Sequence, residues 1–202
     1  MDEEVTKEIL EREERMFVSV PSQGEEPCRD DLQAFRLHRE AQLSVWSPKA
    51  RESYLGDLKE AEGEGKNLMT EKYACMASRN QNDGQTFRAS LIERIVARYL
   101  AWQREAALRY PHIFSRARGL TDEESQPEQT SFETYLRCEL KTYSVKTLTL
   151  LAEHVDEKAR QKINLSEELY THLFSRAGYD SLAGAEAAVG GRSGQDAGYR
   201  QE

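Results

Sequence analysis

The chain has 202 residues, 32% of them charged and 38% hydrophobic, and its 28 basic against 36 acidic residues leave a formal charge of −8 at pH 7. That length supports one globular core with a tail, and an acidic balance without a basic stripe speaks against nucleic-acid partners and repels anionic membrane. A mean hydropathy of −0.78, with no apolar run near the roughly 18 residues a span requires, argues against a transmembrane helix.

Strand signals are nearly absent, and apolar positions recur at helical spacing. Val5, Ile9, Leu10, Met16 and Phe17 mark one side of a charged helix over about residues 3–18. After a turn at Pro21-Ser22-Gln23-Gly24, Asp30 or Asp31 is placed to cap a helix carrying Leu32, Phe35, Leu37, Leu43 and Trp46. Ser47-Pro48 opens a third helix with Tyr54, Leu55, Leu58 and Ala61, and Gly63-Glu64-Gly65 closes it. Asn67 caps a fourth through Leu68, Met69, Tyr73 and Met76.

A polar turn over residues 80–85 precedes the clearest amphipathic pattern, from Phe87 through Leu91, Ile95, Tyr99 and Trp102 to Ala106. Tyr110-Pro111 ends it, because the residue before proline is pushed out of the helical region. The polar stretch 115–129 reads as a surface connection. Thr130-x-x-Glu133 has capping-box spacing ahead of Phe132, Tyr135, Leu136, Leu140 and Tyr143, and Ser144 restarts or continues the path to Val155. Ser166 caps a last helix closed by Gly178. Beyond Leu182 lie five of the twelve glycines and no apolar periodicity, which predicts a disordered tail over residues 183–202. The expected architecture is an all-α, bundle-like domain of about seven helices over residues 1–182.

The N-terminal Met1-Asp2-Glu3-Glu4 carries the opposite charge to a signal or transit peptide. Three widely spaced cysteines, Cys28, Cys75 and Cys138, do not make a secreted disulfide framework, so free thiols and a cytoplasmic setting are expected. Phosphate-loop, dinucleotide-binding and nucleophile-elbow motifs are missing, and Gly190-Gly191-Arg192-Ser193-Gly194 follows no strand. None of the four histidines has a glutamate three residues before it, so neither a metal nor a cofactor is expected. Cys28 has Arg29 and a helix start beside it, which favour a thiolate, and Asp30 and Asp31, which oppose one.

Two segments concentrate chemistry. Asn67, Glu71, Lys72 and Tyr73 crowd the first turns of one helix, while Glu133, Tyr135, Arg137 and Glu139 pair at i, i+4 on another. Turned inward, Glu71, Glu133 or Glu139 would serve as acid–base groups with Tyr73 and Tyr135 as proton partners. Arg39, Lys72 and Arg137 would then hold a carboxylate or phosphate. Turned outward, the same residues are caps and surface pairs worth only about 0.2–0.5 kcal/mol each.

The order Arg12-Glu13-x-x-Met16-Phe17, Cys28-x-Asp30-Asp31, Phe35, Arg39, Gln42 and Trp46 resembles the domain of unknown function 4125 family. The similarity continues through Glu52-Ser53-Tyr54, Gly65-Lys66-Asn67-Leu68, Glu71-Lys72-Tyr73-Ala74 and Trp102-Gln103. Ser131-Phe132-Glu133-Thr134-Tyr135-Leu136-Arg137, Glu139, Tyr143 and Ser144 complete it. Glu14 and Arg15 depart from the family pattern, which has a tryptophan and an acid there. The resemblance implies no established activity. It does imply that polar and aromatic positions, Cys28, Asp31, Arg39, Gln42, Asn67, Lys72 and Arg137 among them, belong to a site, in a protein of metabolic or natural-product gene clusters. Two functions follow as expectations: a small-molecule-handling protein with an internal polar cavity, or a non-catalytic acidic helical module for a protein partner. What separates them is whether the polar residues converge inside the bundle or scatter over its surface.

Overall fold

A computed structural model describes residues 2–21, 32–78, 86–115, 117–126 and 129–198. Every regular element among them is a helix: α1 (Asp2–Val18), α2 (Leu32–Ser44), α3 (Pro48–Gly63), α4 (Leu68–Ser78), α5 (Phe87–Arg109), α6 (Pro111–Phe114), α7 (Phe132–Leu140), α8 (Val145–Arg160), α9 (Leu165–Arg176) and α10 (Leu182–Gly198). The all-α class stands, with ten helices among the described residues in place of about seven. The surplus comes from α6, from α10 and from a clean break between α7 and α8. At that break the Ser144 hydroxyl accepts from the Thr147 N–H, and the Asp57 carboxylate accepts the Ser144 N–H at 3.0 Å.

Helix starts follow local chemistry. Ser47 and Asn67 cap α3 and α4 as their positions predict, accepting from the Ala50 and Thr70 N–H groups. Two predicted caps move. The cap of α7 is Ser131, whose hydroxyl accepts the Thr134 N–H and donates to Asp122, so Thr130 and Glu133 form no box. The cap of α9 is Asn164, whose side-chain oxygen reaches the N–H groups of Ser166 and Glu167. Asn wins there because its amide also donates to the Trp102 carbonyl, tying the helix start to α5.

The main core joins Ile9 and Phe17 of α1, Leu43 of α2, Trp46 of the turn after it, Leu58 of α3, Ile92 and Ile95 of α5, Leu148 and Val155 of α8 and Leu165 of α9. A smaller second core lies at one end, where Ala106, Ile113, Phe114, Leu182, Ala185 and Val189 meet. Two of its members, Ala185 and Val189, belong to the segment expected to be a structureless tail. That expectation is corrected, since residues 182–198 form α10, packed against α6 and α9. Two contacts explain why. The Glu186 carboxylate accepts the His112 and Ile113 N–H groups at 2.7 and 2.9 Å, and Gly190 lies so close to His112 that a Cβ would stand 2.6 Å from its ring. The glycines that read as entropy cost are what lets the backbone approach.

The thiol expectation is also corrected: Cys75 and Cys138 form a disulfide joining α4 to α7, with Cα atoms 5.6 Å apart. The residues share a helix–helix contact that sequence spacing does not reveal. Cys28, Asp30 and Asp31, with the predicted turns at 22–24 and 80–85, lie outside the described residues.

Candidate functional site

Four charged side chains are buried together at the junction of α1, α2, α4 and α7. Glu13 of α1 is fully buried, and Arg39, Lys72 and Glu139 are each 2% exposed. Each stands in an apolar stripe of its own helix, so the packing that buries Ile9, Phe17, Leu43, Met69 and Leu136 carries the charge inward with it.

Their hydrogen bonds are mutual. The Arg39 guanidinium grips Glu13 through both Nε, at 2.8 Å, and Nη2, and its Nη1 donates at 2.6 Å to Glu139 and to the Gln42 amide oxygen. The Lys72 ammonium donates to the other Glu139 oxygen at 2.7 Å and lies 3.8 Å over the Tyr135 ring, with the Arg118 guanidinium 4.8 Å from that ring's centroid. Two phenols complete the set. Tyr54 donates to Glu13 at 2.7 Å and Tyr143 to Glu139 at 2.6 Å, and the two rings pack 4.6 Å apart with Trp46 edge-on to both. Two carboxylates meet two cations, so the cluster is neutral as a whole.

The electrostatics follow from burial and pairing. Burial pushes the Glu139 carboxyl up, but Arg39, Lys72 and the hydrogen bonds from Lys72 and Tyr143 outweigh it and hold it well below the usual carboxylate range. Burial likewise opposes the charges of Arg39 and Lys72, and the facing carboxylates outweigh it, so both cations titrate above their ordinary values. Burial first, then the neighbouring carboxylates, push the Tyr54 and Tyr143 phenols above their usual range. The phenols are therefore donors, not bases.

Of the predicted residues, Arg39, Gln42, Lys72 and Glu139 join this cluster and Tyr135 borders it. Arg137 and Glu133 do not: Arg137 pairs with Glu133 at 2.9 Å and with Glu93, locking α7 to α5. Asn67 donates to the Met16 carbonyl and the Ser19 hydroxyl, and Tyr73 packs on Phe17. Glu71 is exposed and separate from the cluster. Cys28 and Asp31 lie outside the described residues. Tyr54 takes part without having been proposed, and Glu13 and Tyr143, which the family resemblance places among its polar and aromatic positions, take part without having been given a chemical role. The available signal was a carboxylate, Glu13, centred in the stripe Ile9, Leu10, Met16, Phe17 at i±3 and i±4.

A solvent-open groove of about 300 Å³ lies between the end of α3, the starts of α4 and α5, and the α7–α8 turn. Lys66, Glu71, Arg88, Lys141 and Asp57 line it, and so does Tyr143, the one residue that belongs to both groove and cluster. A second groove, of about 330 Å³ between α5 and α8, touches none of the cluster residues. Among the described residues no three His, Cys, Asp or Glu side chains gather as metal ligands, and no helix is long and apolar enough to cross a membrane.

The family model described as protein of unknown function DUF4125 matches residues 3–187, most of the chain, and the chain belongs to that family. No curated protein and no solved structure matches it.

Proposed function

We propose that this DUF4125 protein handles a small polar molecule, binding it in the groove that Tyr143 lines. The observation that carries the reading is the double membership of Tyr143, a residue of the groove lining whose hydroxyl donates to the buried Glu139. A volume of about 300 Å³ sits at the low end of small-molecule sites, roughly 300–1,000 Å³. The lining carries both signs, Lys66, Arg88 and Lys141 against Asp57 and Glu71, which suits a molecule bearing both an acidic and a basic group. The cluster, being saturated, positions Tyr143 and leaves the binding contacts to the rest of the lining. Of the predicted acid–base residues only Glu71 borders the groove, and an accessory or tailoring role in a cytoplasmic metabolic or natural-product pathway fits that placement. Native mass spectrometry of protein purified from its own host tests the reading. The expected result is a bound small molecule that is lost in Glu71→Ala and Lys66→Ala. Protein without a bound molecule, or a molecule retained in both variants, overturns it.

The second reading is a helical module for a protein partner. It is favoured by Phe87 and Val145, 66% and 42% exposed, which adjoin the groove residues Arg88 and Ser144 in the chain.

A further inference from the structure

We infer that the Cys75–Cys138 bond is a reversible thiol–disulfide site, exchanging with a cellular dithiol or low-molecular-weight thiol, that sets how firmly α4 holds Lys72 against Glu139. The proposal is independent of the groove reading. Its first ground is position. Cys75 lies one helical turn beyond Lys72, and Cys138 immediately precedes Glu139, so the bond crosslinks the same two helices that the Lys72–Glu139 ion pair joins at 2.7 Å. Its second ground is asymmetric burial: Cys75 is half-buried and Cys138 is 1% exposed, so Cys75 is the end of the bond nearer to solvent and to an attacking thiolate.

A third ground is that the fold does not depend on a staple: a chain of 202 residues buries enough apolar surface to fold without one. α4 has only 11 residues, follows the positive-φ Gly65 and is held by α7 and α1. A single bond on such an element, in a chain whose cysteine usage is not that of a secreted framework, has the character of a redox-responsive disulfide.

The exchange balances. A thiolate attacks Cys75 Sγ, the Cys75–Cys138 bond breaks, and Cys138 leaves as a thiolate that takes up a proton. The reductant's second thiolate then attacks its own sulfur in the mixed disulfide and releases Cys75, which is protonated in turn. Two electrons and two protons pass from the dithiol to the protein, and the reductant departs as a disulfide. The reduced protein keeps the Lys72–Glu139 pair and the burial of Leu68 and Met69, but α4 loses its only covalent tie to α7 among the described residues.

Hydrogen exchange on the full chain tests this, with the oxidised protein compared with protein reduced by dithiothreitol without denaturant and then reoxidised with oxidised glutathione. The expected result is that α4 amides exchange at least about tenfold faster on reduction, those of α5 and α8 hold, and reoxidation restores α4. The Cys75→Ser/Cys138→Ser variant is expected to show the reduced pattern and to ignore dithiothreitol. Where that variant does not fold, the reduction and reoxidation arms on the native chain decide. A bond that opens only in denaturant, an α4 indifferent to reduction, or loosening spread equally over α5 and α8 overturns the proposal.

Discussion

The two cores of this protein are built on different principles. The main one holds two carboxylates and two cations in its interior, each satisfied by groups from another helix, whereas the buried members of the smaller one, from α5, α6 and α10, are all apolar, and the Glu186 carboxylate ties α10 to the start of α6. An apolar contact that is lost costs its own burial. A charge whose partner is lost stays behind in a low-dielectric site. Stability in the first region therefore depends on completeness, and in the second on area. Such saturation also orients side chains, which is how the cluster can position Tyr143 without offering free groups of its own.

The sharpest way to break the contrast is to remove one partner. Glu139→Leu leaves Lys72 with only the Tyr135 face and strips Arg39 of one of its two carboxylates, and the expected loss is about 3–5 kcal/mol in urea unfolding. Adding Lys72→Met should recover part of that loss, because the stranded cation goes with it. Single and double variants that add independently would show that the cluster is not coupled.

Acid should act on the same region. The Glu139 carboxyl titrates lower in the folded chain than in the unfolded one. Its contribution is thus fully present above the unfolded value of about 4.3 and drains away as the pH falls below that toward the native pKa. Trp46, edge-on to Tyr143, reports the event. Urea midpoints followed by its fluorescence should fall between pH 5 and pH 3 in the native chain, and fall less steeply in Glu139→Leu. Equal slopes would remove Glu139 from the acid response.

Much of this was legible in the residues, and the failures have physical causes. Amphipathic periods place α1 through α5, and Ser47 and Asn67 cap where their chemistry predicts, while Ser144, whose position allows the path to restart or continue, restarts it as a cap. Lys72 was legible as a site residue from the polar crowding at the start of its helix, and Arg39 and Gln42 through the family resemblance. Glu13 and Tyr54 were harder, since the partner of Glu13, Arg39, lies 26 residues away on α2 and the partner of Tyr54, Glu13, lies 41 residues away on α1, and spacing along one helix shows neither. Arg137 and Glu133 misled for the converse reason: i, i+4 pairing is equally consistent with a surface lock, and Glu93 of α5 completes one. The disulfide and α10 were illegible because both depend on tertiary contacts, Cys75 on Cys138 and Gly190 on His112.

The smallest effect tests whether the two regions differ in anything but their cores. α3 and α9 end in the same way, with a glycine at positive φ, Gly65 at 69° and Gly178 at 89°. In each the next residue's N–H reaches back five positions, Lys66 to the Ala61 carbonyl at 2.8 Å and Tyr179 to the Phe174 carbonyl at 3.0 Å. Nothing crowds either Cβ position, so Gly65→Ala and Gly178→Ala should each cost about 1–2 kcal/mol from backbone strain alone. The readouts should nonetheless diverge. A turn in the charged region is coupled to everything that Arg39 and Lys72 connect, so Gly65→Ala should lower the unfolding midpoint of the whole chain. Gly178 precedes a small apolar core, and its strain should appear first as faster hydrogen exchange in α10, with the α3 and α8 amides protected as before. If both variants lower a single common transition, the apolar end is not a separate cooperative unit, and the charged cluster stabilises all ten helices together.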